Sequence, residues 1–556
     1  MMENKIYVIQ NKSNYELRFG NSSLLMSLIK KIPSVEYDIK QSCWRIDKDD
    51  RLIMNAFCEY AKRRFIVSDV IHLSDPSEAE GIADRMPTLS YPHNLLLEPY
   101  DYQKKGIQYM ITHKRTFNCD DMGLGKTFQT IAAVDIAKSY PCLVVCPASM
   151  KITWQREFKR FTGKNAVILD NENKDKWQYY AYTRTCKIFI TNYESVKKFF
   201  VIGCKTKRIT AKNLIIDERI KIFQSVVIDE CHRCKDASTL WSKYLEAMCK
   251  GKEYVYMLTG TPIVTSNKDL VQQLKIMGRM DDFGGAALFK ERYCSPDVDY
   301  ERLAELNYRL WETCYFRRDK SLVLKELPEK IRQYNVLEIS NRQEYEKAEG
   351  DLIAYLQKYR EADDGELQKA IRGYVIVQIN VLRQITAEGK MQEAIKSIHD
   401  IVDAGKKLIV FVAHKSIVKA IKREFNGMVK VTGDETPEQK QKAIDKFQNA
   451  PSCNLIVVNI KSGGVGITLT EASNILFLEF PWTAADCDQC ECRAHRNGQK
   501  SVVTCTYLLG RDTFDEKMYS IIQREREQAG VVTGANDTAE EKVFDMINNI
   551  YKDRVR

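Results

Sequence analysis

Nowhere in the 556-residue chain is there an uncharged apolar run of about 18 residues, the length a helix needs to cross a bilayer. A helical membrane span is therefore not expected. The opening segment MMENKIYVIQ carries an acid and has no apolar stretch ahead of a cleavage site, so it does not read as a secretion signal. Charge of one sign is also in short supply. Eighty-five Lys and Arg face 75 Asp and Glu, a net of +10, which permits a polyanionic partner without demanding one. The chain shows no internal repeat and no low-complexity tract, and 44% hydrophobic with 29% charged residues is the balance of folded domains. Seventeen cysteines are scattered and odd in number, with several inside apolar runs such as Cys142 and Cys146 in CLVVC. They read as reduced thiols of a cytosolic compartment rather than a disulfide framework.

At about 150 residues per domain, the length predicts three or four domains. Residues 1–70 read as a small α+β module: strand-like KIYVIQ and YELRFG, the amphipathic SSLLMSLIKKI, a strand around Cys43–Ile46 and a helical run to Arg64. Residues 71–95, rich in Pro, Ser and acids, read as a linker. Two sets of short apolar strands alternating with helical segments follow. The first is 142–146, 187–191, 225–229 and 254–259, and the second is 408–412, 454–458, 474–479 and 503–508. Buried all-apolar strands at this spacing predict parallel sheets covered on both faces. The fold class expected is α/β, with one lobe over 96–285, a charged helical insertion over 286–395, a second lobe over 396–530 and a tail helix over 531–556.

The sharpest chemical signal is CDDMGLGKT at 119–127. A glycine-rich turn after a strand lets backbone N–H groups close on phosphate, Lys126 reach the β- and γ-phosphates and Thr127 ligate Mg2+. The strict spacing GxxxxGK[ST] would place glycine at 120, where this chain has Asp120. About a hundred residues on, SVVIDECH ends a buried strand in Asp229-Glu230, two carboxylates at the sheet edge where α/β ligands bind. Asp229 is expected to hold the metal, and Glu230 to orient and deprotonate the attacking water. Arg493 and Arg496 lie three apart in DQCECRAHRNGQ, so a helix would project both from one face as paired cations for a triphosphate.

These segments, with LTGTP at 258–262, resemble motifs I, II, III and VI of Swi/Snf-type superfamily 2 helicase-like ATPases. The resemblance implies two RecA-like lobes, ATP and Mg2+ as cofactors, and DNA as partner. It places Asp121, Met122, Gly123, Leu124, Gly125, Lys126 and Thr127 around the nucleotide, with Gln103 in LEPYDYQKKG as the adenine reader. It adds Gly466 of a motif V segment, NIKSGGVGITLTEASNILFLEFPW, and groups Gln489 with Arg493 and Arg496 as catalytic. CPASMKITWQREFKRF at 146–161 and ITNYES at 190–195 are similar to motifs Ia and Ib, which implies nucleic-acid backbone contacts. FRRDKSLVLKELPEK at 316–330 is similar to the family's segment between the lobes, and LRQIT at 382–386 to its next block. Two segments depart from the family pattern: Trp482-Thr483-Ala484 replaces Trp-Asn-Pro, and Lys440 stands where an arginine is usual.

Residues 14–60, with Tyr37-Asp38 and Trp44, resemble the HARP module of the annealing-helicase branch, which implies engagement of forked or junction DNA. The CxxC pairs at 231–234 and 487–490 each fall inside a catalytic motif and are expected to be structural thiols. The leading expectation is a monomeric ATP-dependent translocase on duplex or forked DNA that anneals or remodels strands. It would be cytoplasmic in a bacterial or phage-infected cell, or nuclear in a eukaryote. The alternatives are a remodeler that displaces DNA-bound proteins, an unwinding DNA or RNA helicase and, last, an ATP-gated clamp.

Overall fold

The computed structural model describes residues 5–10, 14–19, 22–38, 43–62, 66–67, 71–72, 88–174, 176–260, 262–263, 266–295, 300–324, 326–358, 365–460 and 467–528. Gly466 and the expected tail helix over 531–556 lie outside the described residues.

Two parallel sheets organise the chain. In the first lobe the strand order is Tyr315–Phe316, Arg115–Asn118, Tyr254–Leu258, Ser225–Asp229, Cys142–Cys146, Ile188–Asn192, Val167–Ile168. All of its pairings are parallel. In the second lobe the order is Lys330–Leu337, Val503–Gly510, Asn474–Phe477, Leu408–Val412, Leu455–Asn459, Val429–Val431, again parallel throughout. Every side chain of Cys142–Cys146, Ser225–Asp229 and Leu408–Val412 is buried. Helices cover both faces, so these strands carry no polar alternation. The long helix Gly365–Gly389 spans 25 residues, and no described helix is long and apolar enough to cross a membrane.

The stretch 286–395, expected as an interposed helical insertion, divides between the lobes instead. Phe289, Tyr293, Leu306, Leu310 and Trp311 belong to the core of the first lobe, and Tyr315–Phe316 extends its sheet. Tyr345, Leu352, Leu356, Val375 and Ile379 belong to the core of the second, to which Lys330–Leu337 adds an edge strand. Their helices are rich in charge, some of it buried in ion pairs such as Arg292 with Glu305, and in the sequence that density reads as a free-standing helical region. The expected linker 71–95 is also partly integrated. Ile71–His72 pairs with Lys5–Gln10, and the Leu96 N–H donates to the Phe161 carbonyl at 2.8 Å.

The N-terminal module forms a sheet in the order Glu36–Asp38, Cys43–Asp47, Asn14–Arg18, Lys5–Gln10, Ile66–Val67, packed on the helices Ser23–Ile29 and Arg51–Ala61. Strand alternation sends Tyr15 and Leu17 into the module core and Glu16 to the opposite side. There the Glu16 carboxylate meets Arg302 at 3.0 Å and Arg292 at 3.4 Å. Arg292 also donates to Glu305 at 2.9 and 2.7 Å, and Arg309 stands 3.7 Å from Glu305. All five side chains are buried, so a cluster of three cations and two anions fastens the module to the helices Ala286–Tyr293 and Tyr300–Thr313 of the first lobe.

Candidate nucleotide site between the lobes

The phosphate loop leaves the strand Arg115–Asn118 and runs into the helix Lys126–Ile136 through two left-handed glycines, Gly123 (φ +92°) and Gly125 (φ +76°). Such angles suit residues without a Cβ. The Lys126 ammonium folds back on the loop and donates to the Asp120 carbonyl at 2.6 Å. Asp120, a departure in sequence terms, is completely buried, and it anchors the loop. Its carboxylate accepts from Arg318 Nε at 2.9 Å and Gln129 Nε2 at 2.8 Å, while Arg318 also donates to Gln129 Oε1 at 2.8 Å. Asp121 turns away from the loop interior and accepts from the Lys320 N–H at 3.0 Å, with Arg317 at 3.3 Å. Leu124 is fully buried, and its carbonyl accepts from Gln103 Nε2 at 3.1 Å. The Gln103 Oε1 accepts from the Tyr100 N–H at 3.0 Å, so in this structure the amide expected to read adenine also caps its own helix.

Asp229 ends its strand nearly buried. Its Oδ2 accepts from Trp154 Nε1 at 2.9 Å and its Oδ1 from the Glu230 N–H at 3.0 Å. Burial first, and the Glu230 charge second, push the Asp229 carboxyl up to about 7. Glu230 takes a left-handed conformation (φ +54°, ψ +48°), rare for a residue with a side chain. That step turns its carboxylate off the strand direction, which straight alternation would not do, and sets it 3.3 Å from His232 Nδ1. His232 Nδ1 in turn lies 3.0 Å from Thr259 Oγ1, next to Gly260 of LTGTP.

The second lobe supplies the other wall. Arg496 donates to Thr468 Oγ1 at 2.8 Å, and its Cβ stands against Gly123. Burial and the neighbouring Arg496 charge lower the Arg493 guanidinium from its ordinary value. Across the cleft, burial raises Glu157 to about 6 against the opposing pull of Arg496 and Arg160. A cavity of about 480 Å³ lies between these walls. From the first lobe it is lined by Gln103, Met122, Gly123, Gly125, Lys126, Thr127, Asp229 and Glu230, and from the second by Gln489, Arg493 and Arg496. Of the residues read from the sequence, Asp121 and Leu124 lie behind the loop, and Gly466 is outside the described residues.

Sequence reasoning missed the residues that hold the two walls in register. The Lys320 ammonium reaches the His495 carbonyl at 2.8 Å and Cys492 Sγ at 3.4 Å, while its own N–H holds Asp121. The His495 Nε2 lies 2.8 Å from the Pro328 carbonyl. Beyond it, the fully buried Glu491 carboxylate collects Lys330 at 2.6 Å, Arg332 at 2.7 Å, Tyr507 at 2.8 Å and Arg526 at 3.2 Å. Burial alone would raise Glu491, but the Arg332 hydrogen bond and the Lys330 charge hold it down at about 2. The segment FRRDKSLVLKELPEK stands out in the sequence by its resemblance to the family's interlobe segment, but nothing in it assigns a partner to Lys320 or Lys330.

The two departures have local explanations. Thr483 caps the helix Ala484–Glu491 by accepting from the Asp486 N–H at 3.1 Å, a role for which Thr and Asn are both suited. Lys440 lines a second interlobe cavity together with Arg156 and Asp445, which pair across the cleft at 2.9 Å. Cys231, Cys234, Cys487 and Cys490 are all buried in the hydrophobic cores.

A phosphate loop facing an acid pair on a parallel sheet, closed by arginines from a second parallel-sheet lobe, defines a two-lobed P-loop nucleotide-binding protein. Residues 102–394 match the family described as SNF2-related domain, and residues 390–498 match the helicase conserved C-terminal domain. The first match alone covers more than half of the chain, and the protein belongs to the SNF2-related family. It is 25% identical to the SWI/SNF-related matrix-associated actin-dependent regulator of chromatin subfamily A-like protein 1 of Xenopus tropicalis, over 98% of this chain and 57% of that protein. It is 26% identical to the human DNA annealing helicase and endonuclease ZRANB3, over 82% of this chain and 42% of that protein. The chain thus spans about half the length of these two relatives. A solved Sulfolobus solfataricus SWI2/SNF2 ATPase core in complex with dsDNA aligns with 84% of this chain and 99% of its own, at 23% identity and a TM-score of 0.38. Both family matches begin after the N-terminal module.

Proposed function

We propose that the protein is an ATP-dependent translocase that acts as a monomer on duplex or forked DNA and anneals or remodels strands. The observation that carries this reading is the single cavity shared by the phosphate loop of one lobe and Arg493 and Arg496 of the other. A triphosphate bound there would contact both lobes, so its turnover would change their separation. In this reading Lys126 neutralises the β- and γ-phosphates and Glu230 takes the proton of the attacking water. Arg493 and Arg496, oriented beside Gln489, stabilise charge on the departing phosphoryl group. Thr127 and Asp229 offer hard oxygen donors of the kind Mg2+ prefers, and the crowding of Asp229 and Glu230 is what a divalent cation relieves. Mg2+ would supply charge neutralisation at the phosphates. The name of the human relative, a DNA annealing helicase and endonuclease, supports DNA as the track and annealing as the outcome. The module over 1–70, read as HARP-like, would favour forks.

The test is ATP turnover measured alone and with single-stranded DNA, duplex, fork and RNA. Stimulation by duplex, larger with the fork, is expected. Strong stimulation by RNA with little by duplex or fork would overturn the proposal.

A further inference from the structure

Outside both large sheets, Val201–Cys204 and Leu214–Ile216 form a two-stranded antiparallel ribbon that leaves the first lobe at the end of the helix Val196–Phe200. Its turn, KTKRITAKN over 205–213, holds four cations and no carboxylate. Lys205, Lys207, Arg208 and Lys212 are all exposed, and among the described residues none lies within ion-pair distance of an acid.

The turn is built around one side chain. The Asn213 Oδ1 accepts from the Thr210 N–H at 2.8 Å and the Cys204 thiol at 3.1 Å, and its Nδ2 donates to Thr206 Oγ1 at 2.6 Å and to the Arg208 carbonyl. Thr206 donates to that same carbonyl at 3.0 Å, and the Lys205 N–H closes on the Asn213 carbonyl at 2.8 Å. The side chains of Thr206 and Asn213 thus bind back onto the turn, and the four charged ends are left to solvent. Ile202 and Ile215, 68% and 40% exposed, stand on the stem beside them.

A basic surface patch is usually only solvated. Here four like charges are concentrated in nine residues of a pinned turn, an arrangement whose self-repulsion a flexible loop would relax. A polyanion with regularly spaced charges relieves it, and a two-stranded ribbon has the dimensions to lie against or within the major groove of B-form DNA. We infer that this ribbon is an auxiliary contact to the phosphate backbone of the duplex, separate from the interlobe cleft and indifferent to sequence. The inference rests on the DNA reading above and adds to it the element that sets duplex affinity.

The test uses the full chain with Lys205→Ala, Lys207→Ala, Arg208→Ala and Lys212→Ala combined, and a mixed-sequence DNA duplex of about 40 base pairs. Affinity is measured by fluorescence anisotropy between about 50 and 200 mM KCl, alongside ATP turnover without DNA and at saturating duplex. At about 0.9 per neutralised phosphate, the slope of log affinity against log salt should become shallower by about 2 to 4. Affinity at the low-salt end should fall at least tenfold, while turnover without DNA and at saturation stays unchanged. A second variant, Lys205→Arg, Lys207→Arg and Lys212→Arg, should retain the parent slope. Parent-like affinity and slope in the alanine variant would overturn the inference and assign the cations to another polyanion, such as an acidic protein surface. Failure of the parent itself to bind the duplex would overturn the DNA reading and this inference together.

Discussion

Arg496 rests on Gly123. A Cβ built on Gly123 would stand 2.8 Å from the Arg496 Cβ and 3.3 Å from its Cα, closer than carbon atoms approach without displacement. The arginine segment of the second lobe therefore uses the bare backbone of the phosphate loop as its seat. Gly123→Ala adds both this collision and a side chain at φ +92°. Overpacking costs about 1–3 kcal/mol and the left-handed backbone about 1–2. ATP turnover should fall about 10- to 100-fold, with nucleotide affinity less affected, as steady-state kinetics and equilibrium binding of a fluorescent ATP analogue would show.

Glu230→Gln keeps the size of the side chain and its left-handed backbone but removes the basic oxygen. Nucleotide binding should persist, and turnover should fall by about two to four orders of magnitude, the usual worth of a positioned general base. Normal turnover would remove Glu230 from that role.

The Glu491 cluster sets an acid limit on the second lobe. Its carboxyl is held at about 2 in the folded chain, below the roughly 4.3 of an unfolded glutamate. The stabilisation is therefore complete above about pH 4.5 and is lost as pH falls toward 2. Glu491→Gln should abolish that part of the acid dependence and lower the melting temperature of the second lobe at pH 7. Leaving Lys330, Arg332 and Arg526 around a neutral group costs about 3–5 kcal/mol. Calorimetry at about pH 2.5 and at pH 7 measures both effects.

Glu16→Gln tests the attachment of the N-terminal module. With the anion gone, Arg292 and Arg302 lose one of two carboxylate neighbours and share Glu305 with Arg309 in a buried setting. Protease cleavage between the module and the first lobe should accelerate at least tenfold, with basal ATP turnover unchanged. A cleavage rate like that of the parent would show that the apolar contacts suffice.

The interior strands are legible because burial on both faces demands uninterrupted apolar runs. Ser225–Asp229 and Leu408–Val412 stand where the sequence puts them. Arg115–Asn118 escapes notice because three of its four residues are polar, although its last three are buried. Lys330–Leu337 escapes because Ile331 to Asn335 are all exposed, so no apolar run sets the strand apart from the charged helical insertion expected there. In the site, the residues proposed to act on phosphate follow spacing, and spacing is visible. Asp120, Lys320 and Glu491 act through partners some 160 to 200 residues away, a relation no local pattern encodes. Asp120 shows the difference most clearly, since a mismatch in the loop motif is in the fold the group that Arg318 grips.

The segment after the first lobe is tied down at both ends, by Arg318 to Asp120 and by Lys330 to Glu491. The dozen peptide units between those two knots could extend to about 40 Å at most. Within that leash the arginines stay at an effective concentration of about millimolar around the phosphate loop whatever the cleft is doing. On the proposed function, nucleotide exchange would need only a hinge-like opening about the strap, and each new triphosphate would meet its arginines again without a search through solution.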